Sequence, residues 1–459
     1  MSKREMPVTI GEVYTAEVIG LNHEGEGVGR VNGFTLFIAG TLPGEKVKVQ
    51  VSGLKKQFGY GKLIEIIKAS PSRIAAACPV YNECGGCQLQ HLDYAAQLEA
   101  KRQQVIDNLE RIGKLTDVVV HPAIGMEQPW RYRNKSHMPI GRSMEGGLVS
   151  GFYAQGTRRI VETDRCMISH EQNDEIVGAV KRIARELAIS AYQPETGRGL
   201  LRHVITRVAY STGEVMVVLV VNGEQIPHQN EFIQLLRMEI PNLTSICLNI
   251  NTDPSSLVMG DKTIVLSGSE TIRDTIGGIE FAISARSFYQ VNPVQTERLY
   301  EKALEYAGLT GNEIVIDAYC GIGTISLFMA GHAQHVYGVE IVPDAVEDAK
   351  RNAQMNEIRN ITFEAGKAEE VLPLWRARGI AADVIVVDPP RKGCDAKLLE
   401  TIIAMQPQRV VYVSCNPSTL ARDLRVLTDG GFRVVEAQPV DMFPQTSHVE
   451  CCVSLVAVT

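Results

Sequence analysis

The chain has 459 residues, 45% hydrophobic and 22% charged, which excludes a disordered chain and a miniprotein held by disulfides. No apolar run reaches the roughly 18 residues of a spanning helix, so no membrane partner is expected. The net charge of −7 argues against a uniformly basic surface, but the 16 basic and 22 acidic residues from Arg286 onward account for most of the deficit. At roughly 150 residues per domain the length predicts about three domains.

Residues 1–7 include Lys3, Arg4 and Glu5 and lead into no apolar segment, so a secretory leader is not expected and the chain reads as cytoplasmic. Residues 1–68 read as a small β-barrel of the OB type. Short β-rich runs at 13–19, 35–38, 46–51 and 60–67 are separated by Gly-containing turns such as Glu24-Gly25-Glu26-Gly27. From Lys46 to Lys68 there are six basic residues and only Glu65 as an acid, a local positive surface of the kind that binds phosphates. Residues 69–285 read as an α+β domain, with a helix at 93–112 ended by Gly113 and strand-like runs at 148–153, 203–209, 215–221 and 245–251. Residues 286–459 alternate strand and helix regularly, with strands at 313–317, 335–339, 384–387, 409–413 and 433–440. This predicts a doubly wound, Rossmann-like α/β domain with ligands at the carboxyl ends of its strands.

Ten cysteines without a leader point to thiols or metal ligands. Cys78, Cys84 and Cys87 crowd together and Cys166 follows alone; four soft ligands suit zinc or an iron–sulfur cluster, and the spacing is unlike two Cys-x-x-Cys knuckles. Between them, Trp130-Arg131-Tyr132-Arg133-Asn134-Lys135 interleaves aromatic and basic residues, a pattern that suits either an RNA groove or a strand with one charged face.

The first βα turn of the last domain, Asp317-Ala318-Tyr319-Cys320-Gly321-Ile322-Gly323, brings backbone close to a ligand, and Glu340 ends the next strand where a carboxylate accepts ribose hydroxyls. Ser326 replaces the third glycine of a dinucleotide fingerprint, which tilts the reading away from NAD. Asp388-Pro389-Pro390 ends a later strand and holds a carboxylate at the mouth of the site. The next ends in Ser414-Cys415-Asn416-Pro417, a cysteine ahead of a helix N-terminus, which is expected to lower the thiol pKa.

Ser287-Phe288-Tyr289-Gln290-Val291-Asn292-Pro293, the Asp388 motif, the Cys415 motif and Thr446-Ser447-His448-Val449-Glu450 together resemble the RNA 5-methyluridine methyltransferases, over essentially the whole chain. The resemblance implies a TRAM barrel at the N-terminus and a 4Fe-4S cluster on Cys78, Cys84, Cys87 and Cys166. It implies S-adenosyl-L-methionine contacts at Gln290, Tyr319, Gly321, Glu340 and Asp388, a Cys415 nucleophile and a Glu450 base. The branch with TRAM domain and cluster implies 23S rRNA as substrate, with no protein partner. A transfer-RNA uridine, an exocyclic amino group and a non-enzymatic RNA-binding redox sensor are the alternatives.

Overall fold

A computed structural model describes residues 7–143 and 145–458. The leader reading therefore falls mostly outside the described residues.

The N-terminal barrel is closed, with strands Val13–Leu21, Gly27–Val31, Phe34–Ile38, Phe58–Lys68 and Lys46–Leu54 adjacent in that order. Strict alternation builds it: Val47, Val49 and Val51 fill the interior while Lys46 and Lys48 point to solvent.

The central sheet has seven strands, in the order Lys262–Gly268, Leu243–Ile250, Val215–Val221, Leu201–Val208, Lys135–Arg142, Leu148–Tyr153 and Ile160–Glu162. Val215–Val221 is buried at every position. Helices Glu171–Glu186 and Gln229–Glu239 contribute Ile176, Val180, Phe232 and Leu236 to its core.

The third sheet has eight strands, in the order Ile361–Ala365, His335–Glu340, Ile314–Asp317, Val384–Val387, Arg409–Ser414, Glu450–Ala457, Phe432–Val440 and Val119–Val120. The first five run parallel. Glu450–Ala457 then inserts antiparallel to both neighbours, so the sheet is mixed and not purely parallel as the alternation predicts. Apolar cores cover both faces.

Part of the segment read as residues 69–285 packs on the last domain. Helix Tyr94–Arg111, capped by Asp93 at Ala96 N–H (2.9 Å), buries Val105 and Leu109 with Leu420, Leu424 and Ala437 of the last domain. Ser418 Oγ donates to Asn108 Oδ1 at 2.8 Å. Strand Val119–Val120 completes the eight-stranded sheet. The helix's apolar positions need a partner surface, and the long sheet offers an uncovered edge.

Lys101 of this helix is fully buried and paired with the equally buried Asp441; its Nζ also donates to the Phe443 carbonyl at 3.0 Å. Removing one partner strands the other charge in an apolar place. Lys101→Ala is therefore expected to lower stability by about 3–5 kcal/mol in chemical denaturation, well above an exposed lysine control such as Lys62→Ala.

Candidate active site

Sheet register assembles the reactive groups. Ser414 pairs with Cys451 across strands Arg409–Ser414 and Glu450–Ala457, so the next step outward brings Cys415 beside Glu450. Asp388 leaves the neighbouring parallel strand at the same edge, with Val387 opposite Tyr412. Asp317 ends the strand beyond, its Oδ2 accepting from Ser326 Oγ at 2.6 Å.

Burial sets the electrostatics of this cluster. It raises the Asp317 carboxyl to about 6, against the Ser326 hydrogen bond. Asp388 is raised by burial and by facing Asp317, and Glu450 by burial and by facing Asp388. The Cys415 thiol is pushed up to about 11 by burial and then by Glu450 and Asp388, with Arg391 opposing. The lowered thiol pKa expected from the helix N-terminus is thus corrected: desolvation and two carboxylates outweigh it.

The helix cap is as expected, with Asn416 Oδ1 accepting from Ser418 N–H at 3.0 Å and Pro417 in the first turn. Asn416 Nδ2 donates to the Arg391 carbonyl at 2.9 Å and Arg422 Nη2 to the Lys392 carbonyl at 3.0 Å. Asp423, completely buried, accepts from Cys394 N–H at 2.8 Å and Tyr412 hydroxyl at 2.7 Å. The turn after Asp388 is thereby fastened to the helix after Cys415.

Of the other predicted contacts, Tyr319 and Gly321 stand in the first βα turn and Glu340 ends the neighbouring strand, whereas Gln290 stands in the segment before helix Pro293–Ala307. Gly321 has φ +54°, and a Cβ there would meet nothing within 4 Å, so the turn presents open backbone. Its N–H donates to Glu340 Oε2 at 3.2 Å, while Glu340 Oε1 accepts from Val342 N–H at 2.9 Å. Gly321 and Glu340 line a cavity of about 670 Å³. Tyr319 is half-buried and packs near Cys394, and Gln290 is buried, its carbonyl accepting from Asn134 Nδ2 at 3.1 Å. This cradle, with an open glycine turn and a carboxylate aimed at it, fits an adenosyl ribose.

The four clustered cysteines line one cavity of about 460 Å³ with Arg133, Lys135, Arg391 and His448. Cys84 bridges to Ala154, and Asp174 accepts from Cys166 N–H at 3.1 Å. Burial, followed by Cys166, Cys84 and Cys78, pushes the Cys87 thiol up to about 12. Among the described residues no three His, Cys, Asp or Glu side chains converge tightly enough for a single metal ion. The sequence reading assigned no role to Arg391 or His448, although both stand in the quoted motifs; only the fold shows that they join the catalytic edge to the cysteine cavity.

Comparison with known proteins agrees with this geometry. The tRNA (Uracil-5-)-methyltransferase family model matches residues 269–458, and the TRAM domain model residues 7–64. An uncharacterized RNA methyltransferase of Halalkalibacterium halodurans is 57% identical, with 98% of each chain covered. One from Caldanaerobacter subterraneus is 50% identical over 96% of this chain and 98% of its own. The chain belongs to the TRAM-containing RNA 5-methyluridine methyltransferases. The solved tRNA (uracil-54, C5)-methyltransferase of Pyrococcus abyssi, in complex with S-adenosyl-L-homocysteine, shares 27% identity and a TM-score of 0.76, covering 96% of this chain and 100% of that one. S-adenosylmethionine-dependent methyl transfer and RNA binding through the barrel accompany this membership.

A raised Glu450 pKa means that the native state keeps a proton which the unfolded chain releases above pH about 4.3. Stability is therefore full below that pH and falls as pH rises towards the native pKa. Glu450→Gln in this methyltransferase should melt above wild type at pH 8, the gap closing towards pH 4, as measured by thermal scans.

Proposed function

We propose that the protein methylates C5 of a uridine in a folded RNA, with Cys415 as nucleophile and Glu450 as base. The observation that carries this reading is the register that sets Cys415 beside Glu450 at the edge from which Asp388 emerges. Uracil C5 is a weak nucleophile. Once the Cys415 thiol has lost its proton to solvent, addition of the thiolate to C6 moves the ring electrons towards O4 and makes C5 reactive. S-adenosylmethionine, when bound, supplies an electrophilic methyl group. Gly321, Glu340, Tyr319, Gln290 and Asp388 are the residues that would hold it. Once C5 carries the methyl, Glu450 takes the C5 proton, the C5–H electron pair forms the C5=C6 bond, and the sulfur leaves C6 as thiolate. Burial favours the protonated form of Glu450, so it must first give up that proton; once ionised, a carboxylate with a raised pKa is the stronger base for this step.

Similarity along the whole chain to a tRNA (uracil-54, C5)-methyltransferase supports transfer RNA as the substrate more than the 23S rRNA expected from sequence. The ribosomal reading retains one observation in its favour, the four-cysteine cavity beside the catalytic edge. The donor set there is four half-buried thiols without a hard ligand, which suits a 4Fe-4S cluster held by Cys78, Cys84, Cys87 and Cys166. Bound there, such a cluster would be held by one thiolate on each of its four irons. Its ligands would be bound as thiolates.

In vitro transcripts of tRNA and of 23S rRNA, incubated with the methyl donor, should separate the two substrates, and one of them should gain 5-methyluridine. With that transcript carrying 5-fluorouridine at the target, wild type should form a stable covalent adduct and Cys415→Ala none. Adduct formation should rise with pH across neutrality, because the thiol ionises only near 11. An adduct with the alanine variant would remove Cys415 from its role. Anaerobically purified protein should hold about four iron and four sulfide per chain. Cys87→Ser should lose them and lose RNA affinity much more than donor affinity; a zinc content near one would overturn the cluster.

A further inference from the structure

The loop from Asp441 to Val449 ends at the base, and its backbone is held from outside, residue by residue. Gln295 Nε2 donates to the Asp441 carbonyl at 3.1 Å, Asn292 Nδ2 to Met442 at 3.0 Å, Lys101 Nζ to Phe443 at 3.0 Å and Tyr132 hydroxyl to Pro444 at 3.0 Å. Gln88 and Leu89 N–H both donate to the Gln445 carbonyl, at 3.1 and 3.0 Å. No side chain of the loop's own strands makes these bonds.

Gln445 is the turning point. Its φ is +70°, a left-handed conformation that is strained for a residue with a Cβ. A reciprocal amide pair holds it there: Gln97 Oε1 accepts from Gln445 N–H at 3.1 Å and Gln97 Nε2 donates to Gln445 Oε1 at 3.0 Å. Gln97 is itself immobilised, since its Nε2 also reaches the Leu89 and Leu92 carbonyls at 3.1 and 2.8 Å, and both glutamines are buried. Beyond Gln445 the chain is tied once more, by Ser447 N–H to Gln88 Oε1 at 3.4 Å, before it reaches Glu450. Gln88 follows Cys87 directly, so the cysteine cavity and the base share this turn.

We propose that Gln97 is a positioning residue for Glu450: by locking Gln445 in its left-handed turn it aims the base at C5, and it serves proton removal and not methyl transfer. The proposal rests on Glu450 being the base. Loss of the amide frees Gln445 to relax, and the end of the loop moves with it. Cys415, Gly321 and Glu340 stand on other strands and keep their places.

The test is a single-turnover reaction on whichever transcript wild type methylates, using radiolabelled S-adenosylmethionine. Label incorporation reports methyl transfer, and a denaturing gel reports RNA still bound through Cys415. Gln97→Ala should incorporate label within about threefold of wild type yet release RNA at least tenfold more slowly, with an unchanged KM for the donor. Gln97→Met, which keeps the volume and lacks the amide, should behave alike and decides the matter if the alanine variant does not fold. Adding Gln445→Gly, which adopts a left-handed turn without strain, should restore much of the release rate; Gln445→Ala should not. Equal slowing of both steps, unhindered release, or no restoration by glycine overturns the proposal. Glu450→Gln is the reference. Its failure to accumulate the methylated adduct removes the base assignment and this proposal with it, whereas a stalled Glu450→Gln beside a freely releasing Gln97→Met overturns the proposal alone.

Discussion

The antiparallel insertion of strand Glu450–Ala457 beside strand Arg409–Ser414 is the constraint on which the site depends. Parallel strands deliver their ends to one edge, so Asp317, Glu340, Asp388 and Cys415 all arrive there from below. A residue that must face Cys415 and come from a different loop has to enter the sheet at that edge, which an antiparallel strand does with its first residue. Slipping the register by one would send Glu450 to the opposite face and put Cys451 in its place.

This arrangement concentrates three acidic groups in a buried region, and they suppress one another's ionisation. Arg391 faces both Cys415 and Glu450; its side chain is exposed, while its backbone carbonyl is held by Asn416 and the following turn by Arg422 and Asp423. The backbones that carry Cys415 and Arg391 are thus tied together through a strand end, a turn and a helix N-terminus. Burial and the facing carboxylates together hold the Cys415 thiol well above its ordinary pKa.

The α/β alternation was legible because the buried parallel strands are short apolar runs, such as Val384–Val387, each followed by an amphipathic helix. Strand Glu450–Ala457 was not, since it opens on a buried carboxylate and two cysteines and lacks alternation. Helix Ala368–Ala377 was hidden by Pro373 in its interior. Cys415 and Glu450 were found through motifs, but their juxtaposition is a matter of register between strands that the chain alone does not announce. The burial of Lys101 was equally invisible. Helix Tyr94–Arg111 reads as polar around that position, and what buries the lysine is Asp441, 340 residues away. The sequence also misjudged the thiol, because a helix N-terminus can be read locally whereas desolvation depends on everything packed around the group.

The segment Trp130–Lys135 shows why composition alone divided evenly between an RNA groove and a structural strand. Arg131 Nη1 donates to the Cys166 carbonyl at 2.7 Å and to Asp174 at 2.8 Å, and Asp174 accepts from Cys166 N–H, so this arginine is occupied in holding the far cysteine. Tyr132 is buried and occupied in holding Pro444. Arg133 and Lys135 line the cysteine cavity, where burial, followed by Arg207 and Arg133, lowers the Lys135 amine to about 7. An amine held that low marks a place short of negative charge. Either four thiolates on one wall or an RNA phosphate at the mouth would relieve it. Neighbouring residues of this segment therefore serve different tasks: Arg131 fixes the fourth cysteine, Tyr132 fixes the loop that leads to Glu450, and Arg133 and Lys135 line the cavity between them.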